Sequence, residues 1–259
     1  MTTKRPASRT LGELLDEIAT VTPSAEALVF RDERLDYAGL KVRVDGFARA
    51  LLAVGIRKDD RVAVLVTNRI EWIIAAFAAA KIGAIVAAIS TFSTPRELAW
   101  MLDHSGAVAL VTIDSFRGRG FLGALRSLCP ELDGAAPGAL SSARLPALRT
   151  VIALDGRPSA GVFSLPEFLA RGASVDAATL AVAQRAVAAS DICYILYTSG
   201  STAAPKGVTL AHGPLIANGG SHRRYSRGAA RDWPMAKAGQ AVSPPTATSA
   251  FGNSVISAM

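Results

Sequence analysis

The sequence predicts an α/β layered domain with right-handed crossovers, on three observations. Short apolar runs alternate with segments of helical periodicity in the order strand, helix, strand, helix, strand. The links between them are short. The run Arg61 to Val66, RVAVLV, shows too little alternation to be half exposed, which fits the interior of a parallel sheet covered on both faces.

Each element has its own signal. Ala27 to Phe30 and Arg34 to Asp36 read as two short extended pieces around a polar Asp32-Glu33 turn. Leu40, Val44, Phe47, Ala48 and Leu51 recur at helical spacing, and Gly55 stops that helix. After the Arg61 to Val66 strand, Asn68 with Glu71 predicts a capping box, and Ile70, Ile73, Ile74 and Phe77 give the next helix one apolar side. Lys81 with Gly83 ends it, and Ile85 to Ile89 returns as a strand. Thr94-Pro95-Arg96-Glu97 is a second helix start, with Leu98, Met101 and Leu102 on its apolar face and Gly106 at its end. Ala107 to Thr112 is a further strand. From Arg117 to Arg149 periodicity is poor and Gly, Pro and Ala are plentiful, so a surface excursion with one helix near Leu122 to Leu128 is expected. Thr150 to Leu154 is a strand, Leu165 to Arg171 a short helix and Ala173 to Asp191 a mixed connector.

Half of the 259 residues are apolar, enough for a substantial core in one large domain or two small ones. The formal charge of +7 is concentrated between Gly220 and Gln240. There Arg223, Arg224, Arg227, Arg231 and Lys237 face only Asp232, a net +4. Without interleaved aromatics or a fold, that segment predicts no specific nucleic-acid partner. Cys129 and Cys193 lack CxxC spacing and read as ordinary thiols of a reducing, cytoplasmic setting. His104, His212 and His222 have neither each other nor cysteines at ligand spacing, so no metal-ligating residues are expected. His212 is expected to cap or pack, His104 to sit at a helix end, and Trp72 and Trp100 to pack. The basic amino terminus has no apolar segment behind it and is not read as a signal peptide. Trp72 to Ile89 is apolar except for Lys81, but its start and stop signals favour helix, turn and strand over a membrane span.

The chemistry is concentrated after Ile192 to Leu196, ICYIL. Thr198-Ser199-Gly200-Ser201-Thr202-Ala203-Ala204-Pro205-Lys206-Gly207 crowds hydroxyls, two glycines and a lysine into ten positions. Clustered hydroxyl and backbone N–H donors can wrap a polyphosphate, and glycine lets the chain approach closely. Lys206 supplies a point charge on a flexible stem. The spacing differs from a Walker A loop, since no glycine precedes the lysine and Gly207 stands where Ser or Thr would hold magnesium; no G-x-G-x-x-G occurs either. The competing reading, a solvent-facing linker, is weakened by the position between ICYIL and VTLAH.

YTSGSTAAPKGV, Tyr197 to Val208, closely resembles the signature of the adenylate-forming, AMP-binding or acyl-CoA synthetase-like superfamily, whose usual form is Y-T-S-G-S/T-T-G-x-P-K-G. Ala203 departs from it at a usual glycine. Upstream, Leu35 to Leu40 resembles the family's L-T-Y-x-E-L segment, with Asp36 for Thr and Gly39 for Glu. Gly55 to Ala63 resembles its turn and strand, with Asp59 at a usual glycine. Asn68, Glu71 and Ala79 to Ala84 match a characteristic helix and its K-x-G-A ending, and Thr94 to Leu98 agrees well, whereas Ala88-Ile89-Ser90 lacks the common P-x-N/D. The resemblance runs from about Leu11 to Asn218. It implies the layered αβα amino-terminal domain of the acyl-CoA synthetase-like fold, incomplete in this chain.

In such a family Thr198, Ser199, Gly200, Ser201, Thr202, Lys206 and Gly207 would bind the nucleotide phosphates, with Lys206 and Thr202 as the catalytic pair. The implied reaction is activation of a small carboxylic acid by Mg2+ and ATP to an acyl-adenylate, then transfer to coenzyme A, as in an AMP-forming acid-thiol ligase of fatty acid metabolism. Residues 1–218 are thus expected to form a partial AMP-binding domain, 219–250 a basic low-complexity or frame-altered segment, and 251–259 a short resumption of the domain before the sequence ends. Two readings compete: a truncated acid-activating ligase, and a non-catalytic remnant that at most binds nucleotide weakly.

Overall fold

The computed structural model describes residues 9–156, 159–198 and 205–218. The basic segment 219–250 and the resumption at 251–259 lie outside the described residues. The chain enters through helix α1 (Leu11–Val21), for which the sequence reading makes no provision. A capping box starts it: Thr10 Oγ1 accepts from the Glu13 N–H at 3.2 Å, and the Glu13 carboxylate accepts from the Thr10 N–H at 2.8 Å.

Strands β1 (Glu26–Phe30) and β2 (Glu33–Asp36) form a separate antiparallel pair. Their turn falls on Arg31-Asp32, one residue before the expected position, because Arg31 takes the left-handed φ of 55°. Helix α2 (Tyr37–Ala53) begins where Asp36 accepts from the Gly39 N–H at 2.7 Å, and it buries the five apolar residues that its spacing predicts. Gly55, at φ 86°, ends it as expected.

The central unit is β3 (Arg61–Leu65), α3 (Ile70–Lys81), β4 (Ile85–Ala88), α4 (Pro95–Ser105) and β5 (Ala109–Thr112). Trp72 to Ile89 is therefore helix and strand, and among the described residues no helix is long and apolar enough to cross a membrane. The expected Asn68 cap is wrong. Arg69 is the N-cap residue and makes no side-chain cap, while its guanidinium takes the Glu71 carboxylate at 2.7 Å and Asp155 at 3.0 Å. The charge pair draws Glu71 away from the backbone role that the spacing predicts. At α4 the predicted box is present, with Thr94 and Glu97 exchanging hydrogen bonds and Pro95 in the first turn. Gly106 closes α4 at φ 59°, and the Arg61 guanidinium donates to the carbonyls of Ser105 (2.8 Å), Gly106 (2.7 Å) and Asp59 (3.0 Å).

The stretch Arg117 to Arg149 is no surface excursion. After the short pair β6 (Ser115–Phe116) and β7 (Arg119–Gly120) comes helix α5 (Phe121–Leu128), and Leu125, Cys129, Leu132, Leu140, Leu145 and Leu148 are all buried in the main core. These side chains enter the core one at a time from irregular backbone, so their spacing carries no period. Strand β8 (Thr150–Ala153), strand β9 (Phe163–Ser164) and helix α6 (Leu165–Arg171) follow. The expected mixed connector contains helix α7 (Ala177–Arg185), started by Asp176, which accepts from the Thr179 N–H at 2.7 Å. Strands β10 (Ile192–Thr198) and β11 (Lys206–Ala211) complete the described elements, and residues 212–218 are helical.

Seven strands form one sheet in the order β11-β10-β4-β3-β5-β8-β9. Every neighbouring pair is parallel except β10 with β11. Helices cover both faces. Trp72 of α3 stacks on Tyr194 of β10 at 6.5 Å, while Trp100 of α4 meets Tyr197 of the same strand edge-on at 5.9 Å. Residues 194 and 197 differ by an odd number of steps, so α3 and α4 lie on opposite faces.

Behind the sheet, Lys81 at the end of α3 is 2% exposed. Its Nζ lies 2.7 Å from Asp16 Oδ1 of α1 and 2.5 Å from Asp45 Oδ1 of α2. Lys41 pairs with both carboxylates, and Gln184 of α7 donates to Asp16 at 2.8 Å. Burial works to raise the Asp16 carboxyl, but the hydrogen bonds from Lys81 and Gln184 outweigh it and hold it below its ordinary range. The network fixes four helices to one another. Gly12 makes room for it, since a Cβ there would stand 2.9 Å from Lys81 Cγ and 3.2 Å from Lys81 Cα.

Candidate phosphate-binding hairpin

Strand β10 outlasts its inner neighbour. Tyr194, Ile195 and Leu196 pair with Val86, Ala87 and Ala88 of β4. Tyr197 and Thr198 run past that partner and pair only with β11, as Tyr197 with Gly207 and Thr198 with Lys206. Cys193 and Tyr194 are buried, Ile195 and Tyr197 half-buried, and Leu196 and Thr198 exposed. The strand that delivers the loop is thus buried only at Cys193 and Tyr194, with Ile192 before them also exposed. Of the expected loop and its flanks, Tyr197 and Thr198 lie in β10, and Lys206, Gly207 and Val208 lie in the antiparallel partner β11.

Direct cross-strand partners share a face, and successive residues alternate. Thr198 and Lys206 therefore stand side by side on one face, next to the exposed pair Leu196 and Val208. Tyr197 and Gly207 point to the other face, towards α4. Thr198 Oγ1 reaches the Lys206 carbonyl at a long 3.4 Å. The sites predicted at Ser199, Gly200, Ser201 and Thr202 lie outside the described residues. Of the predicted set, the structure brings together Thr198, Lys206 and Gly207 at the hairpin mouth.

Lys206 differs from the other lysines among the described residues. Lys41 pairs with Asp45, Lys58 with Asp191 and Lys81 with two aspartates. Lys206 is exposed and has no carboxylate partner among the described residues. A lysine with no carboxylate partner among the described residues, paired across the strands with a threonine, fits the donor set that a polyphosphate needs.

Gly207 is closely covered. A Cβ there would stand 3.1 Å from Ile195 Cγ2, 3.5 Å from Tyr197 Cε1 and 3.7 Å from His104 Cε1. His104 comes from α4, 93 residues before Tyr197, and no local pattern in the sequence links the two. Its ring stacks on Trp100 at 4.5 Å, and its Nδ1 is 3.1 Å from the Tyr197 hydroxyl. Burial pushes the Tyr197 hydroxyl pKa up, so it keeps its proton at neutral pH.

His212, just after β11, has the packing role expected of it. It is fully buried, and its Nδ1 accepts from the Leu11 N–H of α1 at 3.1 Å. Burial pushes its pKa down to about 4, against the upward pull of Asp191 and Glu13. The ring is neutral near pH 7, with its proton on Nε2, and that nitrogen has no hydrogen-bond partner among the described residues. Both cysteines are buried and unpaired, and burial pushes Cys193 up to about 12, far from a reactive thiolate. Among the described residues no group of three His, Cys, Asp or Glu could hold a metal ion.

The family model described as AMP-binding enzyme matches residues 15–246. The mitochondrial medium-chain acyl-CoA ligase ACSF2 of Mus musculus is 38% identical over 212 residues, which are 81% of this chain and 34% of that protein. The Homo sapiens protein of the same name is 36% identical over 220 residues, 84% of this chain and 36% of its own length. The chain spans about a third of the length of these curated relatives. Among solved structures, a fatty acyl CoA synthetase of Mycobacterium tuberculosis aligns at TM-score 0.63 and 26% identity, covering 83% of this chain and 37% of that one. The anthranilate CoA ligase AuaEII in complex with anthranoyl-AMP aligns at TM-score 0.66 and 24% identity, covering 82% and 37%, and shows likeness of fold.

Proposed function

The chain belongs to the AMP-binding enzyme family, and on that premise we propose that its β10–β11 hairpin grips the outer phosphates of ATP during activation of a carboxylic acid. A carboxylate oxygen of the acid attacks the α-phosphorus. The bond from that phosphorus to the bridging oxygen breaks, and pyrophosphate leaves. Lys206 and Thr198, with Ser199, Gly200, Ser201, Thr202 and Gly207, hold the departing phosphates, and Lys206 with Thr202 stabilises the charge that moves onto them. The flexible stem of Lys206 lets its charge follow the phosphates as bonds change.

The observation that carries this reading is Lys206, exposed, without a carboxylate partner among the described residues and paired across the strands with Thr198. Mg2+ would accompany the nucleotide. The acyl acceptor in this reading is coenzyme A, and the acids to try first are fatty acids of medium chain length, because the curated relatives carry that name. A cytoplasmic setting fits the two free, buried thiols, although the curated relatives include mitochondrial proteins.

Pyrophosphate release from Mg-ATP with such a panel of acids tests the reading. In a version carrying the remaining length of the family's enzymes, Lys206→Ala should lower the rate by about 100- to 1,000-fold. An unchanged rate overturns the assignment. Activity of the longer version with none in the 259-residue chain would favour the reading of this chain as a non-catalytic remnant.

A further inference from the structure

The hairpin is also held from its opposite face. There the Tyr197 hydroxyl donates to the Met101 carbonyl of α4 at 3.2 Å and lies 3.1 Å from His104 Nδ1. A ring proton on His104 Nδ1 lets the imidazole donate to the hydroxyl while the hydroxyl donates to Met101, so both contacts are satisfied in that tautomer. Trp100 supports the imidazole by stacking at 4.5 Å, and both rings meet Tyr197 edge-on at 5.9 Å. Tyr197 is the partner of Gly207, and the next pair outward is Thr198 with Lys206. One strand step, about 3.3 Å, separates this anchored pair from the pair that would face the phosphates.

We propose that His104 and Tyr197 are positioning residues, a polar clip that fixes the β10–β11 hairpin to α4 and so sets where Thr198 and Lys206 stand. The proposal deepens the phosphate-binding reading of the hairpin and rests on it. The clip acts at a point where β10 has outrun β4, so the ladder to β4 no longer restrains the strand. Without it, what remains is the edge-on contact of Tyr197 with Trp100 and the pairing of Tyr197 and Thr198 with the edge strand β11. Gly207 lies beneath this clip: a Cβ there would be tight against Ile195 Cγ2, at 3.1 Å, and in ordinary contact with the Tyr197 and His104 rings, at 3.5 and 3.7 Å.

The test is backbone amide exchange and Mg-ATP affinity on the 259-residue chain with Tyr197→Phe, His104→Leu, His104→Asn and the Phe/Leu double variant. Phe keeps the ring and removes the hydroxyl, and Asn places a side-chain amide near the lost Nδ1. Amides of residues 206–208 should exchange roughly five- to tenfold faster in Tyr197→Phe and in His104→Leu. The double variant should add nothing further, and His104→Asn should recover to within about twofold. Amides of β3 and β5 should stay unchanged, and Mg-ATP affinity should fall in step with hairpin exchange. Unchanged hairpin exchange in both single variants overturns the clip, as does acceleration spread equally over β3 and β5, which would make the pair a general stabilising contact. If the hairpin loosens as stated while the unaltered chain and Lys206→Ala show the same Mg-ATP affinity, the clip stands and the phosphate reading fails.

Discussion

Lys81 and Lys206 carry the same side chain into opposite circumstances. Lys81 is buried behind the sheet between Asp16 and Asp45, with Lys41 and Gln184 completing the network. Lys206 stands exposed on an edge strand with no carboxylate beside it among the described residues. A charge taken out of water must have its partners inside the protein, and it then serves to hold helices in place. A charge left in water keeps its freedom for a ligand. Lysine content therefore says little about where an anion binds, whereas a missing counter-ion says a great deal.

The strongest way to break this contrast is Lys81→Met, which keeps the stem and leaves Asp16 and Asp45 with Lys41 as the one cation of the network. Its unfolding free energy in urea titration should fall by roughly 3–5 kcal/mol. A loss under about 1 kcal/mol, the scale of a surface pair, would mean that the network holds nothing together.

Acid tests the same buried side of the molecule. His212 titrates near 6.5 when unfolded and near 4 when folded. Between these values the unfolded chain binds a proton that the folded chain refuses, so stability is full above pH 6.5 and drains away as pH falls towards 4. The loss should be on the order of 3 kcal/mol. His212→Gln, followed by chemical denaturation across that range, should flatten the slope, and an equally steep slope in the variant would remove the buried imidazole from the account.

Smaller effects sharpen the comparison. Asp59 adopts φ 68° at the position where the family resemblance places glycine, so Asp59→Gly should raise stability by about 1 kcal/mol. Lys206→Ala should leave the unfolding free energy within about 0.5 kcal/mol of the parent, although it removes the charge proposed to hold phosphate. A larger destabilisation would mean that Lys206 has a structural partner.

The sheet was legible because its central strands are unbroken apolar runs and its helices stop at glycine. Gly55, Gly83 and Gly106 all take positive φ where the pattern ends. Helix α1 was missed although Thr10 with Glu13 is the same capping signal that located α4, and Leu11, Leu15 and Ala19 recur at helical spacing. Asn68 with Glu71 was misleading, because the spacing of a cap cannot reveal that Arg69 competes for the carboxylate. At the hairpin, sequence marked out Thr198, Lys206 and Gly207 by composition. It gave no warning of His104, whose contact with Tyr197 exists only once α4 and β10 pack together.

The bond from the Leu11 N–H to His212 Nδ1 joins residues 201 apart in the chain. During synthesis α1 emerges early and meets α2 and α3 soon after, yet this acceptor arrives roughly 10–40 s later at ordinary ribosomal speeds. Over that interval the three helices can associate while the Leu11 N–H stays unclosed, so the last-made stretch of the described chain is what locks the first-made helix in place.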